Sequence, residues 1–563
     1  MSSSILRILL SGHDSNDEAQ RAEELATLLQ TESILNLRGN RIGAEGAAVL
    51  ATCLQTNRTL TSLNLTNSCI GDEGARALGT CLQTNNTLTS LDLWNNGIGE
   101  EGAKALGTSL QSNHTLTSLD LRYNSIRGRG AEALATSLQS NETLTSLNLD
   151  GINIENFSSA CLFWGALTKC LPTNHTLTSL SLGGNYIDDE NVMALATCLE
   201  TNRTLTSLKL DGQHFFGDGR YRGVQTLLLT SCTLTNLNLT GSHIDDDGAR
   251  ELAICLETNR TLTSLNLNGN NIGKWGARRL ATCLETSHTL ASLNLNGNNI
   301  GAEGARALAT CLETSHTLAS LNLSGNRIGA EGARALATCL ETNRTLTSLN
   351  LADNGIGDEG ADSIISSLAQ MERRYGWMRR GEGEGGDVAA VAVGERCFVE
   401  EILCGCEWGH IVRGYLSEAF VVDLNLSRNN ITLADSASRD ALCELLPLRK
   451  LNLSGNDIGG CLDKIGQLAN LELVDLSRNP LTGIDLALFR LLKLSKCNIR
   501  GNLNLKQPPA SVGTELEDLR RYAEQLMTVF DVLKVSIVGI ENVGKTLLSL
   551  CMVGNLAEAE RCC

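Results

Sequence analysis

Over most of this chain the apolar residues fall on a fixed lattice. In His288 to Ser315, HTLASLNLNGNNIGAEGARALATCLETS, Leu293 and Leu295 alternate with Asn294 and Asn296. That is the two-residue period of a half-buried strand. Asn298 stands where the chain leaves the strand, and its amide can bond backbone groups that the turn leaves unpaired. Ile300 closes the turn inward. After Gly301 and Gly304, Ala305, Leu308, Ala309 and Leu312 recur at i, i+3, i+4 and i+7, one face of a helix. Neither element can bury its apolar face alone, so such units must stack. They do recur: the first leucine of the pair steps by 28 residues through Leu35, Leu63, Leu91, Leu119 and Leu147, then through Leu237, Leu265, Leu293, Leu321 and Leu349. A fixed period in this range predicts a solenoid. Strands would form a parallel concave sheet, helices would cover the convex side, and small residues would let those helices crowd.

The phrases TLTSLNL, GNNIG and EGARALATCL resemble the leucine-rich repeats of ribonuclease inhibitor and, more closely, of NOD-like receptors. The resemblance covers roughly Leu35 to Leu368. It implies a horseshoe-shaped α/β solenoid, and repeat folds of this kind serve many unrelated partners.

Departures from the lattice carry more information about function than the lattice does. Residues 1–33 read as an N-terminal cap half-repeat, with a strand in SILRILL and a helix over Asp17 to Gln30. The regular repeats span 34–369. Within them, Leu180 comes 33 residues after Leu147, and HFFGDGRYRG replaces the usual turn after Leu208. Phe215, Phe216, Arg220 and Tyr221 in that stretch are candidate partner contacts, because aromatic residues and arginine are enriched at binding hot spots. The positions flanking each leucine pair face the concave side and are mostly Ser, Asn, Thr and Asp. Trp94 and Arg122 break that rule in adjacent repeats and should lie side by side about 4.8 Å apart. With Tyr123 they are the strongest partner-binding candidates of the solenoid.

After Leu368 the pattern stops. Residues 370–420 read as an irregular insertion with a Gly/Glu linker. Cys397, Cys404, Cys406 and His410 within it lack the paired knuckles of a structural zinc motif. A second array with shorter repeats occupies 421–505, its strand positions Leu424, Leu451, Val474 and Leu492 stepping by 27, 23 and 18. Shorter units leave less room for a convex helix.

Composition narrows the possibilities further. A formal charge of −17 over 563 residues argues against general nucleic-acid binding. No apolar run reaches membrane-spanning length, and Ile5 to Leu10 lacks the flanks of a secretory signal. Twenty cysteines would suit an oxidised protein. However, Cys53, Cys81, Cys255, Cys283, Cys311 and Cys339 hold one helical column, where packed helices lie about 8–10 Å apart. A disulfide needs Cα atoms within roughly 7 Å. Cysteine is therefore expected as a buried filler, in a cytoplasmic protein. The Asn-x-Thr sequons, such as Asn57-Arg58-Thr59, read as a by-product of the repeat spelling.

One stretch carries chemistry. Prolines after Leu505 end the array. Residues 506–532 read as a linker with a helix over Thr514 to Leu526, where Thr514 and Glu517 have capping-box spacing. Leu533 to Val538 reads as a buried strand, and Gly539-Ile540-Glu541-Asn542-Val543-Gly544-Lys545-Thr546 is a complete G-x-x-x-x-G-K-T. Its glycines let backbone N–H groups face phosphate oxygens. Lys545 supplies positive charge and Thr546 a hydroxyl for Mg²⁺, at the positive end of a following helix.

The order of repeats, linker helix and phosphate loop, with QPPASVG, RRYAEQL and GIENVGKT, resembles the Roco family, over about Leu424 to Leu550. In that family repeats precede a Ras-like Roc GTPase domain and a dimerising COR domain. The resemblance implies GTP or GDP as ligand, with Gly539, Asn542, Val543, Gly544, Lys545 and Thr546 as nucleotide-binding positions and Mg²⁺ on Thr546. Glu541 and Asn542 stand where small residues are often found mid-loop. Only 17 residues follow Thr546, so residues 533–563 read as the start of a truncated P-loop βα unit. Neither GTP hydrolysis nor dimerisation is expected of that unit without the rest of a Roc domain and a COR domain. Cys562-Cys563 resembles the paired-cysteine prenylation tail of Rab GTPases, a reaction that depends on a folded GTPase. The leading expectation is a protein-interaction scaffold, the partner-binding and regulatory segment of a Roco-type signalling protein, engaging proteins through its concave face. A stand-alone NOD-like-receptor-type interaction protein with a vestigial phosphate loop is the second reading. A RanGAP-like GTPase activator is the third.

Overall fold

The computed structural model describes residues 18–154, 157–185, 187–212, 221–380, 421–462, 464–506 and 515–525. The chain divides into two units, one of Met1–Ile328 with Thr342–Leu346, the other of Gly329–Glu341 with Thr347–Cys563. The phosphate loop, Cys397, Cys404, Cys406, His410, Phe215, Phe216, Arg220, SILRILL, Thr514 and the terminal cysteine pair all lie outside the described residues.

In the first unit eleven three-residue strands among the described residues, from Ile34–Asn36 to Ser320–Asn322, pair in chain order and all in parallel. Their central leucines are in register, Leu35 beside Leu63 and Leu293 beside Leu321. Register survives the irregular steps, with Leu147 beside Leu180 and Leu208 beside Leu237. Part of the extra length after Leu147 goes into the helix Phe157–Cys170, 14 residues long against 12 for Gly301–Leu312.

The core follows the lattice. Leu293, Leu295, Ile300, Ala305, Leu308 and Leu312 are all buried, and burying each leucine contributes about 1.5–3 kcal/mol. Gly304 sits where neighbouring repeats pack tightly. A Cβ there would stand 2.5 Å from Ile300 Cγ2 and 3.1 Å from Ala277 Cβ.

Two asparagine ladders satisfy the buried turns. In the first, Asn298 Nδ2 donates to Leu267 O at 3.0 Å in the preceding repeat and to Leu295 O at 2.9 Å in its own. Its Oδ1 accepts from Ile272 N at 3.0 Å. Asn124 and Asn270 repeat the pattern. The second ladder runs through the turns that follow the helices. Asn113 Nδ2 donates to Leu82 O at 2.7 Å, while Oδ1 accepts from Thr115 N and Leu116 N. Asn57, Asn85, Asn141, Asn174, Asn202 and Asn259 are buried in the same way. These are the sequon asparagines. They are far from incidental, since the nitrogen that a glycan would need is inside the stack holding the preceding repeat.

Some helices are capped by the neighbouring repeat. Asp72 Oδ1 accepts from Gly99 N at 2.6 Å and Gly102 N at 2.8 Å, at the start of the helix Glu100–Leu110. Asp246 does the same for Gly273 N and Gly276 N at the helix Lys274–Thr286. The cysteine column is made of free, buried thiols. Burial pushes Cys53 up to about 11 and Cys311 to about 12.

In the second unit the helix Gly329–Leu340 and the strand Ser348–Asn350 keep the long-repeat form. The next helix, Gly357–Arg380, runs twelve residues past Leu368, so the insertion expected from residue 370 begins as helix. Met371, Glu372, Arg373 and Arg374 are good helix formers, which explains the continuation. Leu349 pairs with Leu424 across residues 381–420, and Asn429 Nδ2 donates to Leu351 O at 2.8 Å. The ladder thus resumes in step after the insertion. Strands Asp423–Asn425, Lys450–Asn452, Leu473–Asp475 and Lys496–Asn498 follow in parallel. Their connections shorten to the helix Ser436–Cys443 and the single-turn helices Ile465–Gln467 and Leu486–Arg490. The strand position expected at Leu492 is corrected to Cys497, which pairs with Val474, so the last step is 23 rather than 18. Leu492 is fully exposed; the run LLKL imitates the strand pattern, and the true strand buries a cysteine there. Residues 516–525 are helical, with Leu519 and Ala523 buried. Arg520 donates to Phe489 O at 3.0 Å and Leu494 O at 2.7 Å, closing the end of the short array.

Candidate protein-binding surface

Each strand of the first unit offers three outward positions: the residue before its leucine, the residue after it, and the residue two further on, where the chain exits. Where the middle residue is Asn or Asp it is pre-organised, because its side-chain oxygen accepts the N–H two residues ahead. Asp92 accepts from Trp94 N, Asp120 from Arg122 N and Asn294 from Asn296 N. This bond fixes the exit residue over the sheet.

The exit positions bring together a cluster. Arg122 Cζ lies 4.8 Å over the Trp94 ring centre, and Arg38 Cζ, from two repeats earlier, lies 5.2 Å over the same ring. Thr66, in the intervening repeat, is small and buried, so Arg38 can reach across it. Tyr123 is 60 % exposed, with its ring 6.2 Å from Trp94 and tilted by 44°. That ring rests on Gly151, where a Cβ would come within 3.0 Å of Tyr123 Cδ1. Arg122 Nε lies 2.9 Å from Asp120 Oδ2, an ion pair without the alignment of a hydrogen bond. Burial pushes the Asp120 carboxyl above its ordinary range, against the pull of Arg122. The sequence places Trp94, Arg122 and Tyr123 together, and the structure does as well. Arg38 was missed, although it stands two 28-residue steps before Trp94 in the same column.

A second group follows along the sheet. Lys209 Nζ bridges Asp150 Oδ2 at 2.5 Å and Asp211 Oδ2 at 3.2 Å. Ser181 Oγ and Gly183 N both donate to Asp150 Oδ1. Burial works against the Lys209 charge, yet the two carboxylates hold it above its ordinary value. Asp211 is also raised, because burial outweighs its share of one ammonium. This group staples three repeats across the irregular steps.

From Asn236 to Ser324 the outward positions change character. They are Asn236, Asn238 and Thr240, then Ser264, Asn266 and Asn268, then Ser292, Asn294 and Asn296, then Ser320, Asn322 and Ser324. Among the described residues of this unit, every charged or aromatic residue at these three positions lies between Arg38 and Asp211.

Two sequence expectations fare differently. Tyr221 is corrected from an exposed contact to a core residue: it is 3 % exposed, packs where a Cβ on Gly248 would meet its ring at 2.6 Å, and donates to Asp245 Oδ1. Trp275 was not singled out, yet it is 59 % exposed in the first turn of its helix, with Lys274 Nζ 5.2 Å over its ring. No group of His, Cys, Asp and Glu among the described residues could hold a metal ion, and no described helix is long and apolar enough to cross a membrane.

A family model described as Leucine Rich repeat matches eleven segments: 33–51, 56–79, 84–107, 112–135, 173–196, 230–253, 258–281, 286–309, 314–337, 342–364 and 446–460. The chain is a leucine-rich-repeat protein. Its alternation of short parallel strands and helices fits a leucine-rich-repeat solenoid, a fold whose strand-lined surfaces generally bind proteins. Among solved structures it is similar to "Leiomodin-1 Actin-Binding Site 2 (ABS2)", at 23 % identity, over 28 % of this chain and 90 % of that one, with a TM-score of 0.23. No curated protein matches.

Proposed function

We propose that this leucine-rich-repeat protein is an interaction scaffold whose protein partner sits on the outward strand positions from Arg38 to Asp211. We further propose that it is the partner-binding, regulatory segment of a Roco-type GTP-binding signalling protein. The observation that carries the first reading is the division of that face. An exposed Tyr123 beside Trp94, under two guanidiniums, has the composition of a binding hot spot. The Asn/Ser face that follows offers neither charge nor aromatic area. The Roco reading rests on the motif Gly539 to Thr546 and the helix before it. In a complete domain Gly539, Asn542, Val543, Gly544, Lys545 and Thr546 would hold GTP or GDP, with Mg²⁺ on Thr546, in a cytoplasmic protein.

Two experiments test the two parts. Trp94→Ala combined with Tyr123→Ala should weaken partner binding at least tenfold while leaving the circular-dichroism spectrum intact, since neither residue supplies the buried leucine lattice. Unchanged affinity would remove the surface assignment. Sequencing the transcript past codon 563 should find DxxG and NKxD in frame. A stop codon there would overturn the Roco reading.

A further inference from the structure

Resting on that surface assignment, we infer that the partner presents an acidic, extended segment whose carboxylates are read by Arg38 and Arg122. The argument begins with what the indole already carries. Arg38 reaches Trp94 from the N-terminal side of the stack and Arg122 from the C-terminal side. A guanidinium over an indole face can still present an N–H edge, and that edge matches a carboxylate bidentately. Arg38 is exposed and pairs with no carboxylate among the described residues. Arg122 Nε is buried and ion-paired with Asp120, so this half-exposed side chain has only its Nη end to offer. The whole edge of Arg38 is available.

Stacking also orients these edges before any partner arrives. A free arginine loses rotamer entropy when it is fixed, and a stacked one has already lost much of that. A partner lysine or arginine would meet Arg38, which no described carboxylate offsets, and an indole already covered by two cations; Asp120 offsets the charge of Arg122. The chain's overall charge of −17 opposes an acidic partner at long range, but that field is screened beyond about 8 Å at physiological salt. The Arg38 guanidinium acts inside that distance, while Asp120 offsets Arg122.

Geometry limits the segment. The two Cζ atoms lie 5.2 and 4.8 Å from one ring centre, so they are at most about 10 Å apart. Same-face side chains of an extended strand recur about every 7 Å. Acidic residues two or four apart bracket that spacing. Tyr123, 60 % exposed at the edge of the cluster, then offers an apolar ledge for the side chain that follows.

The test uses fluorescence anisotropy with the full chain and a labelled peptide, Glu-Ser-Glu-Ser-Glu-Ser-Phe, against its lysine-for-glutamate counterpart. The acidic peptide should bind at least tenfold more tightly at low salt, and salt should weaken it. Arg38→Glu should abolish that preference, and Arg38→Gln should reduce binding several-fold. Arg38 is exposed, so both variants should fold. Binding of the lysine peptide that is lost in Trp94→Ala would overturn the acidic assignment while keeping the surface. Failure of both peptides, or acidic binding untouched by Arg38→Glu, would also overturn it. The surface assignment itself is judged separately, by the Trp94→Ala, Tyr123→Ala variant against the natural partner.

Discussion

Replacing Asn298 by alanine probes the ladder on which the stack depends. The side chain links three backbone groups: Leu267 O at 3.0 Å, which also accepts from Asn270 Nδ2, Leu295 O at 2.9 Å, which also accepts from Asn326 Nδ2, and Ile272 N at 3.0 Å, which no other side chain is seen to serve. All three groups lie inside the stack. A hydrogen bond of this kind contributes about 1 kcal/mol net, and a buried group left without a partner costs about 1–3 kcal/mol. The substitution should therefore destabilise the protein by roughly 2–3 kcal/mol, most of it from the orphaned Ile272 N–H, with no new clash, since alanine is smaller. Serine is a graded control. Ser242 and Ser68 occupy the same column and still reach one carbonyl of the preceding repeat, Leu210 O at 3.2 Å and Leu37 O at 3.3 Å. Asn298→Ser should cost about half as much as Asn298→Ala. Urea unfolding followed by circular dichroism gives the size, and amide hydrogen exchange gives the place. Because repeats contact only their neighbours, protection should fall first between Leu265 and Leu321. A loss below about 1 kcal/mol for alanine, or no difference from serine, would refute the reasoning.

Other consequences follow from the same contacts. Asp246→Ala removes the acceptor for Gly273 N and Gly276 N and should lower stability by about 1–2 kcal/mol; Asp247→Ala, with an exposed side chain, should change it little in the same thermal melt. Iodoacetamide at neutral pH should label the exposed Cys69, Cys161 and Cys232 and leave Cys53, Cys255, Cys283 and Cys311 unlabelled, as peptide mass mapping will show; equal labelling would contradict the buried column. The thiol column also sets an alkaline limit. Folded pKa values near 11 for Cys53 and Cys255 and near 12 for Cys81 and Cys311 exceed the ordinary 9.0, so the stability they contribute is fully present below pH 9 and is lost as pH rises through 11 to 12. Replacing Cys255 and Cys311 by alanine should shift alkaline unfolding to higher pH.

The strand leucines, the helical face and the unpaired cysteine column were legible from spacing alone, because each is dictated by period and volume. The first asparagine ladder was legible at Asn298, where turn chemistry names the residue. The second is not legible locally, because Asn113 and its equivalents follow a helix and their acceptor, such as Leu82 O, is 31 residues away. Local rules do not see that distance. Trp94 and Arg122 were found by scanning the outward column, whereas Arg38 needed the further knowledge that buried Thr66 leaves a path across one repeat. Lys209 escaped for the same reason, since its partner Asp150 is two repeats back. At the short array leucine content misled: Leu492 fits the spelling, but backbone register selects Cys497. Tyr221 looked like a contact by type and is instead held inside by Gly248 and Asp245.

The claim that function resides in the N-terminal part of the strand face is tested most directly by site-specific photocrosslinking. Benzoylphenylalanine is placed at Tyr123 in one sample and at Asn296 in another, and each full chain is irradiated in cells. The account predicts a discrete protein adduct from position 123, lost in the Arg38→Glu background, and none from position 296. Adducts of equal yield at both positions, or at position 296 alone, would contradict it.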